Sequence, residues 1–187
     1  MSRSVVLGEV EALAASRDLV ANAIGGDVAA FALLLDPLWD PAHRLAFSML
    51  RDQQGAEDAV QEAALNAWRN VRRLRRDTPS LRPWFLTIVA NQCRSMRRSP
   101  WSRVLRVTAF PDRASVDPDT VERIDIEQAL LRLPGDQRLA LILRYFLDLP
   151  MDEVAIVLGV SIPAAKSRVR RALKSLEPAL ATMRERA

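Results

Sequence analysis

Histidine and cysteine each occur once in this 187-residue chain, as His43 and Cys93. A single cysteine cannot close an intramolecular disulfide. One histidine with one cysteine cannot build a His–Cys metal site or a Ser–His–Asp triad within the chain. Lysine is nearly missing: Lys166 and Lys174 stand against 25 arginines, a bias that by itself says nothing about specificity. Aromatic residues make up 5%, and no convincing period-two alternation occurs, which argues against a sheet-based core. No apolar run approaches a membrane span, and the amino terminus has no signal-peptide pattern. The expectation is a cytoplasmic protein with no metal and no cofactor.

What is present is apolar residue and segregated charge. Hydrophobic content is 49%, enough for packed cores, and the net charge of +4 hides a strong alternation. Residues 1–65 hold 4 Arg against 10 acids, 66–106 hold 11 Arg against Asp77 alone, and 107–160 hold 5 Arg against 10 acids. Basic patches of this kind attract polyanions with strong salt dependence. The acidic stretches suit a basic protein partner, or simple solvation.

Helical periodicity runs through most of the chain. A turn or two over Asp18–Ile24 ends at Gly25-Gly26, and Asp27 can cap a helix Val28–Leu35. Pro37 and Pro41 are expected to interrupt the pattern, which resumes over Ala42–Leu50 and is punctuated by Gly55. Ala56–Leu74 reads as the longest continuous helix, buried through Ala59, Val60, Ala63, Ala64, Ala67, Trp68 and Val71. Its start is acidic and its end basic, the order that suits a helix dipole. Pro83 opens a further helix with Trp84, Phe85, Ile88, Val89, Cys93 and Met96 inward; Cys93 then reads as a packed thiol. Thr87, Asn91, Arg94 and Arg98 fall on the other side. Pro100, Pro111 and Pro118 mark 99–123 as a linker. Helices are then expected over Ile124–Leu133 and Gln137–Phe146.

The carboxy-terminal stretch Met151–Leu176 reads as helix, tight turn, helix. Met151, Val154, Ala155 and Leu158 recur at helical spacing. Gly159 sits where a left-handed residue ends a helix, Ser161 can cap the next, and Pro163 fits its first turn. Ile162, Ala165, Val169, Ala172, Leu173 and Leu176 make the expected buried stripe. Lys166, Arg170 and Lys174 fall four apart on the outer side, with Ser167 and Arg171 beside them. A solvated face also looks like this. Five cations without one acid from Ile162 to Lys174 favour contact with the DNA major groove.

Both halves resemble one family. The run Asp58-Ala59-Val60-Gln61-Glu62-Ala63-Ala64-Leu65-Asn66-Ala67-Trp68 is similar to the helix by which bacterial sigma factors grip core RNA polymerase. The run Trp84-Phe85-Leu86-Thr87-Ile88-Val89-Ala90-Asn91, followed by Arg97-Arg98, is similar to the adjoining promoter-melting helix. Leu133-Pro134, Gln137-Arg138, Leu143-Arg144-Tyr145, Glu153-Val154-Ala155, Leu158-Gly159 and Lys166-Ser167-Arg168 resemble the promoter-binding domain. Their order matches the small extracytoplasmic-function (ECF) group over about residues 16–180. The chain departs from the family at Ser95, where an acid is common, at Ala164, where a Thr is common, and at Pro150, where a capping Ser is common.

The resemblance implies an all-α protein of two small helical domains joined by a flexible linker, the second containing a helix-turn-helix. The extension is 1–15, a region 2-like domain 16–98, the linker 99–123 and a region 4-like domain 124–187. It implies a non-enzymatic alternative sigma factor that binds core RNA polymerase (its beta and beta-prime subunits) and promoter DNA, held in check by an anti-sigma factor that is often membrane-linked. Asp58, Gln61, Glu62, Asn66 and Trp68 are then the polymerase-docking residues, although the acids also stabilise a helix start and Trp68 also suits a core. Arg75, Arg76, Ser80, Thr87, Asn91, Arg94, Arg97 and Arg98 serve the −10 element, with Asn91 the base contact and Trp84 assigned to the core. Lys166, Ser167, Arg170 and Arg171 read the −35 element, with Arg168 and Lys174 as phosphate clamps. The linker would thread along polymerase and raise the effective concentration of the second domain. Two other readings remain open on residues alone. One is a stand-alone helix-turn-helix regulator, which leaves the second arginine-rich surface unexplained. The other is a Mg²⁺ enzyme using Asp36, Asp40, Asp52, Asp58 and Glu62, whose scatter lacks a convergent spacing.

Overall fold

The computed structural model describes residues 17–74, 80–98 and 128–184. The expected extension, most of the loop after Leu74 (with Arg75 and Arg76) and the linker lie outside them. The chain divides into two compact units between Cys93 and Arg94. Helices account for all regular structure among the described residues, and none of them is long and apolar enough to cross a membrane.

The first unit begins with α1 (17–24), and Gly26 turns the chain at φ +102. Asp27 then caps α2 (Val28–Leu35), its carboxylate accepting from the amides of Ala29 at 2.8 Å and Ala30 at 3.1 Å. A 3₁₀ turn over Asp36–Leu38 leads directly into α3 (Trp39–Leu50). Pro41 was expected to break this helix but lies in its first turn, where a missing N–H leaves no intrahelical bond unmade. The real break comes at Arg51, which takes a left-handed φ of 60 and ends α3. Asp52 then caps α4 (Gln53–Asn70) by accepting from the Gly55 amide at 2.7 Å. Gly55 is thus part of the helix start, not a break. A Cβ there would stand 2.6 Å from Asp52 Oδ2, so a larger residue would have to shift the capping carboxylate. After Asn70 the chain tightens into a 3₁₀ turn over Val71–Arg73, so α4 ends earlier than Leu74.

Helices α3 and α4 meet through small residues. Ala42, Ala46, Ala59, Ala63 and Ala67 are wholly buried, and Leu45 and Val60 fill the space beside them. Phe31 packs on Trp68 with ring centroids 5.1 Å apart and planes tilted by 54°, a favoured aromatic arrangement. Helix α5 (Arg82–Arg98) buries Phe85, Leu86, Val89, Ala90 and Cys93. Its inward face is rotated by about one residue from the expected stripe: Leu86 and Ala90 go in, while Trp84, Ile88 and Met96 stay half-buried at the rim.

The second unit carries α6 (128–132), α7 (Gly135–Leu141), α8 (Met151–Leu158) and α9 (Ile162–Arg184). One helix was expected over Gln137–Phe146. Instead α7 widens into a π-helix over Ile142–Phe146, where the Leu147 amide reaches back to the Ile142 carbonyl at 3.0 Å. The loop after it is held by Arg144, whose guanidinium donates to the Leu149 carbonyl at 2.9 Å. Gly159 ends α8 at φ +66, and Ser161 accepts from the Ala164 amide at 3.4 Å to start α9. With 23 residues against 18, α9 and not α4 is the longest helix described. It runs through Pro178, whose missing N–H removes one backbone bond of that turn. Its buried line is Ala165, Val169, Ala172 and Leu176; Ile162 and Leu173, expected inside, are 42% and 37% exposed.

Two measurements check this packing. Replacing Asp27 by Ala should lower unfolding free energy by about 1 kcal/mol, read from urea denaturation of the full chain. A double-mutant cycle on Phe31 and Trp68 should return a coupling of about 0.5–1.5 kcal/mol.

Candidate nucleic-acid and polymerase interfaces

Among the described residues every buried side chain is apolar. Charge therefore stands outside the buried lines of the helices, and three faces contain the residues singled out above.

The first is the outer side of α4. Asp58, Gln61, Glu62 and Asn66 are all exposed. Asp58 and Glu62 lie one turn apart, so they present negative charge together. Asn66 also accepts from the Asn70 side-chain amide at 2.7 Å, which fixes its carboxamide. Trp68, seven residues after Gln61 on the same side of the helix, is half-buried against Phe31. Leu65 adds to the face, 50% exposed and three residues beyond Glu62. Residue-by-residue reading missed Leu65, because a leucine beside buried alanines scores as core. Only its angular position, seven residues after Asp58, would have separated it.

The second face is the rim of α5. Trp84, Thr87, Ile88 and Asn91 recur at helical spacing along one edge of the buried stripe. Thr87 donates its hydroxyl to the Pro83 carbonyl at 2.7 Å, so that proton is held on the helix itself. Asn91 is exposed, Arg94 and Arg97 are half-buried and Arg98 is exposed. Ser80 is half-buried just before the helix. Trp84, expected in the core, is half-buried and not enclosed.

The third face is the outer side of α9. Lys166, Arg170, Arg171 and Lys174 are exposed, and Ser167 is half-buried. Arg171 donates from Nε to the Ser167 carbonyl at 3.3 Å, which lays its guanidinium along the helix. Arg168 is different. Its side chain is 24% exposed and its Nη1 lies 3.4 Å from the Asp136 carboxylate at the start of α7. It braces α9 against α7 and points away from the outer row. The spacing explains this: Arg168 neighbours Val169 and follows Ala165 by three residues, which puts it on the packed flank. Tyr145 and Phe146, thrown outward by the π-turn, are 60% and 48% exposed and add an aromatic patch that charge-based reading missed.

No group of three or more His, Cys, Asp or Glu side chains able to hold a metal occurs among the described residues. Asp52 is engaged in its cap.

Comparison with known proteins bears on the same two halves. Residues 38–103 match the model for Sigma-70 region 2, and residues 123–176 match that for Sigma-70, region 4. The RNA polymerase sigma factor SigV of Bacillus subtilis is 31% identical over 133 residues, covering 71% of this chain and 80% of that protein. The ECF RNA polymerase sigma factor SigM of Mycobacterium tuberculosis is 31% identical over 159 residues, covering 83% and 79%. Among solved structures, CnrH in complex with the cytosolic domain of CnrY aligns with a TM-score of 0.69 at 25% identity, over 90% of this chain and 98% of that one. The sigma factor RpoE of Bartonella quintana, solved with the anti-sigma factor NepR, aligns with a TM-score of 0.62 at 27% identity, over 80% and 96%. With both region models in order and relatives covered over most of their length, the chain belongs to the ECF group of bacterial RNA polymerase sigma factors.

Proposed function

We propose that the three charged faces divide the work of an alternative sigma factor. As a member of this family the chain binds core RNA polymerase and directs it to promoters. It forms no bonds itself, so its contribution is positioning and capture. The observation that carries the division is the opposite charge of faces built on a shared plan: acids on α4, arginines around α5, and an uninterrupted cationic row on α9. The domain limits proposed are 16–98 for the region 2-like part and 124–187 for the region 4-like part, with 99–123 as the tether.

The exposed Asp58 and Glu62, with Gln61, Asn66 and Leu65, suit a polymerase surface that offers cations around an apolar contact. Trp68 borders that face, packed on Phe31. The α5 rim suits an opened strand. Asn91 can read a base edge, Trp84 offers a stacking surface, and Arg94, Arg97 and Arg98 hold phosphates, joined by Arg75, Arg76 and Ser80 before the helix. Thr87 contributes through its methyl and an acceptor lone pair, because its hydroxyl proton is engaged. On α9, Lys166, Ser167, Arg170 and Arg171 face the −35 groove and Lys174 takes a phosphate. Arg168 becomes a positioning residue that sets the angle of α9 through Asp136.

The related structures hold CnrH with the cytosolic domain of CnrY, and RpoE with the anti-sigma factor NepR. By analogy, an anti-sigma factor, membrane-linked in some settings, is proposed as this chain's inhibitor, acting in the cytoplasm where polymerase works. A stand-alone regulator would leave the acidic face of α4 without a task.

Transcription with purified core polymerase on fragmented genomic DNA should yield discrete new start sites that depend on this chain; none from any template would end the reading. Lys174→Ala should reduce the slope of log K against log salt by up to about 0.9, one phosphate's worth, in holoenzyme binding to a −35 fragment. Arg168→Ala should weaken binding without changing the slope, with Asp136→Ala doing the same. Asn91→Ala should cut open-complex formation by about tenfold, roughly 1.4 kcal/mol, in permanganate footprinting while −35 binding is kept.

A further inference from the structure

Ile162 has the spacing of a buried residue in α9, yet it is 42% exposed. It stands one turn before Lys166 in the row that continues through Arg170 and Lys174, and all four side chains are exposed. The outer row of α9 therefore begins on a branched hydrocarbon and goes on as cations. The rest of the first turn is equally short of polar side chains. Pro163 is exposed and has no N–H, and Ala164 is half-buried and ends at its Cβ. The Ser161 hydroxyl accepts from the Ala164 amide at 3.4 Å, so it serves the start of the helix.

In a helix-turn-helix the first residues of the second helix are those that meet base edges. Polar side chains there pair with donors and acceptors on the bases. The one apolar group that base pairs present in the major groove is the thymine C5-methyl. An apolar side chain at this position gains contact only from that methyl. The charge nearby permits the approach, because no Asp or Glu occurs from Val154 to Leu176. Lys166 and Arg170, on the same row, favour a polyanion as the surface that covers Ile162.

We propose that Ile162 is a specificity-determining residue, which selects a thymine in the −35 element by packing on its 5-methyl group. This role rests on the sigma-factor reading of α9 and adds to it a contact that charge does not make. Ile162 has no atom that can bond the thymine O4 or the paired adenine, so the feature it selects is the methyl itself. Burial of one methyl group is worth about fourfold in affinity.

The test uses holoenzyme reconstituted with the full-length chain and a promoter duplex taken from a start site found by transcription in vitro. Each thymine of the −35 element, on either strand, is replaced singly by deoxyuridine, which removes the methyl and keeps the pairing. Competition binding at fixed salt should show one position where the replacement weakens binding by about fourfold. Ile162→Ala should bind the thymine and deoxyuridine duplexes equally, within about 1.5-fold, at the affinity the unmodified chain shows for deoxyuridine. Ile162→Val, which keeps a branched end, should retain a preference of at least about twofold. Leu173→Ala, at a site 37% exposed but about 16 Å farther along α9, should keep the full preference. If Ile162→Ala does not fold by circular dichroism, Ile162→Ser replaces it. A −35 element with no methyl-sensitive thymine overturns the proposal. Sensitivity that persists in the Ile162 variant also overturns it, because methyl removal then acts through the stiffness of the duplex. Start sites without a methyl effect leave the sigma-factor reading in place and end this one. If no start site is found, the sigma-factor reading falls, and the same comparison runs on duplexes that the chain alone selects from random sequence. Binding there without methyl dependence on Ile162, or no selected duplex at all, overturns the proposal as well.

Discussion

Charge in this protein is kept off the wholly buried lines of its helices. No polar or charged side chain is buried among the described residues, so each helix pairs an apolar line with an outer face that must hold its ionised groups. Burying even one uncompensated charge would cost several kcal/mol, a large part of the stability of a small domain. The α3–α4 contact shows how strict the arrangement is. Its wholly buried alanines let the two helices approach closely, and any larger or polar group at Ala59 or Ala63 would force them apart.

From that constraint the functional faces follow. The acids of α4 stand opposite its alanine line. The arginines of α5 flank a stripe of Phe85, Leu86, Val89, Ala90 and Cys93. The cations of α9 stand opposite Ala165, Val169, Ala172 and Leu176. A sigma factor must touch a protein and two DNA elements while remaining one chain. Amphipathic helices provide this economically, because the residues that hold each unit together also aim the residues that bind. Helix α2 is the exception: Val28 and Leu33 are left outside, 64% and 62% exposed, and Val28 lines an open groove with Phe31, Ala32, Leu35, Asp36 and Trp39.

Much of this was readable from residue order. Helix starts at Asp27 and Ser161 and the stop at Gly159 were visible because their signals are local: one side chain bonds an amide two or three residues away, or one glycine accepts a left-handed turn. The exposed acids of α4 and the outer cations of α9 were visible because charge seldom enters a core. Misreadings fell where two signals competed. Pro41 and Gly55 have the residue types of breaks, yet both occupy first turns, where a proline's missing N–H is harmless and a glycine leaves the capping carboxylate undisturbed. The stop at Arg51 gave no warning, since a left-handed arginine is held by its surroundings and not by its own preference.

Order along the chain was enough to set the helical class, the two-part plan, the family and the sign of each face. Those properties depend on periods and local bonds within about one helical turn. The tertiary structure decided which flank of each helix is covered. It rotated the α5 stripe so that Trp84 and Ile88 reach the rim, drew Arg168 off the outer row of α9 to Asp136, turned Trp68 onto Phe31, and opened Ile162, Leu173 and the α2 groove to solvent. An amphipathic stripe is wider than one contact, and only the neighbouring helices choose which of its edges lies underneath.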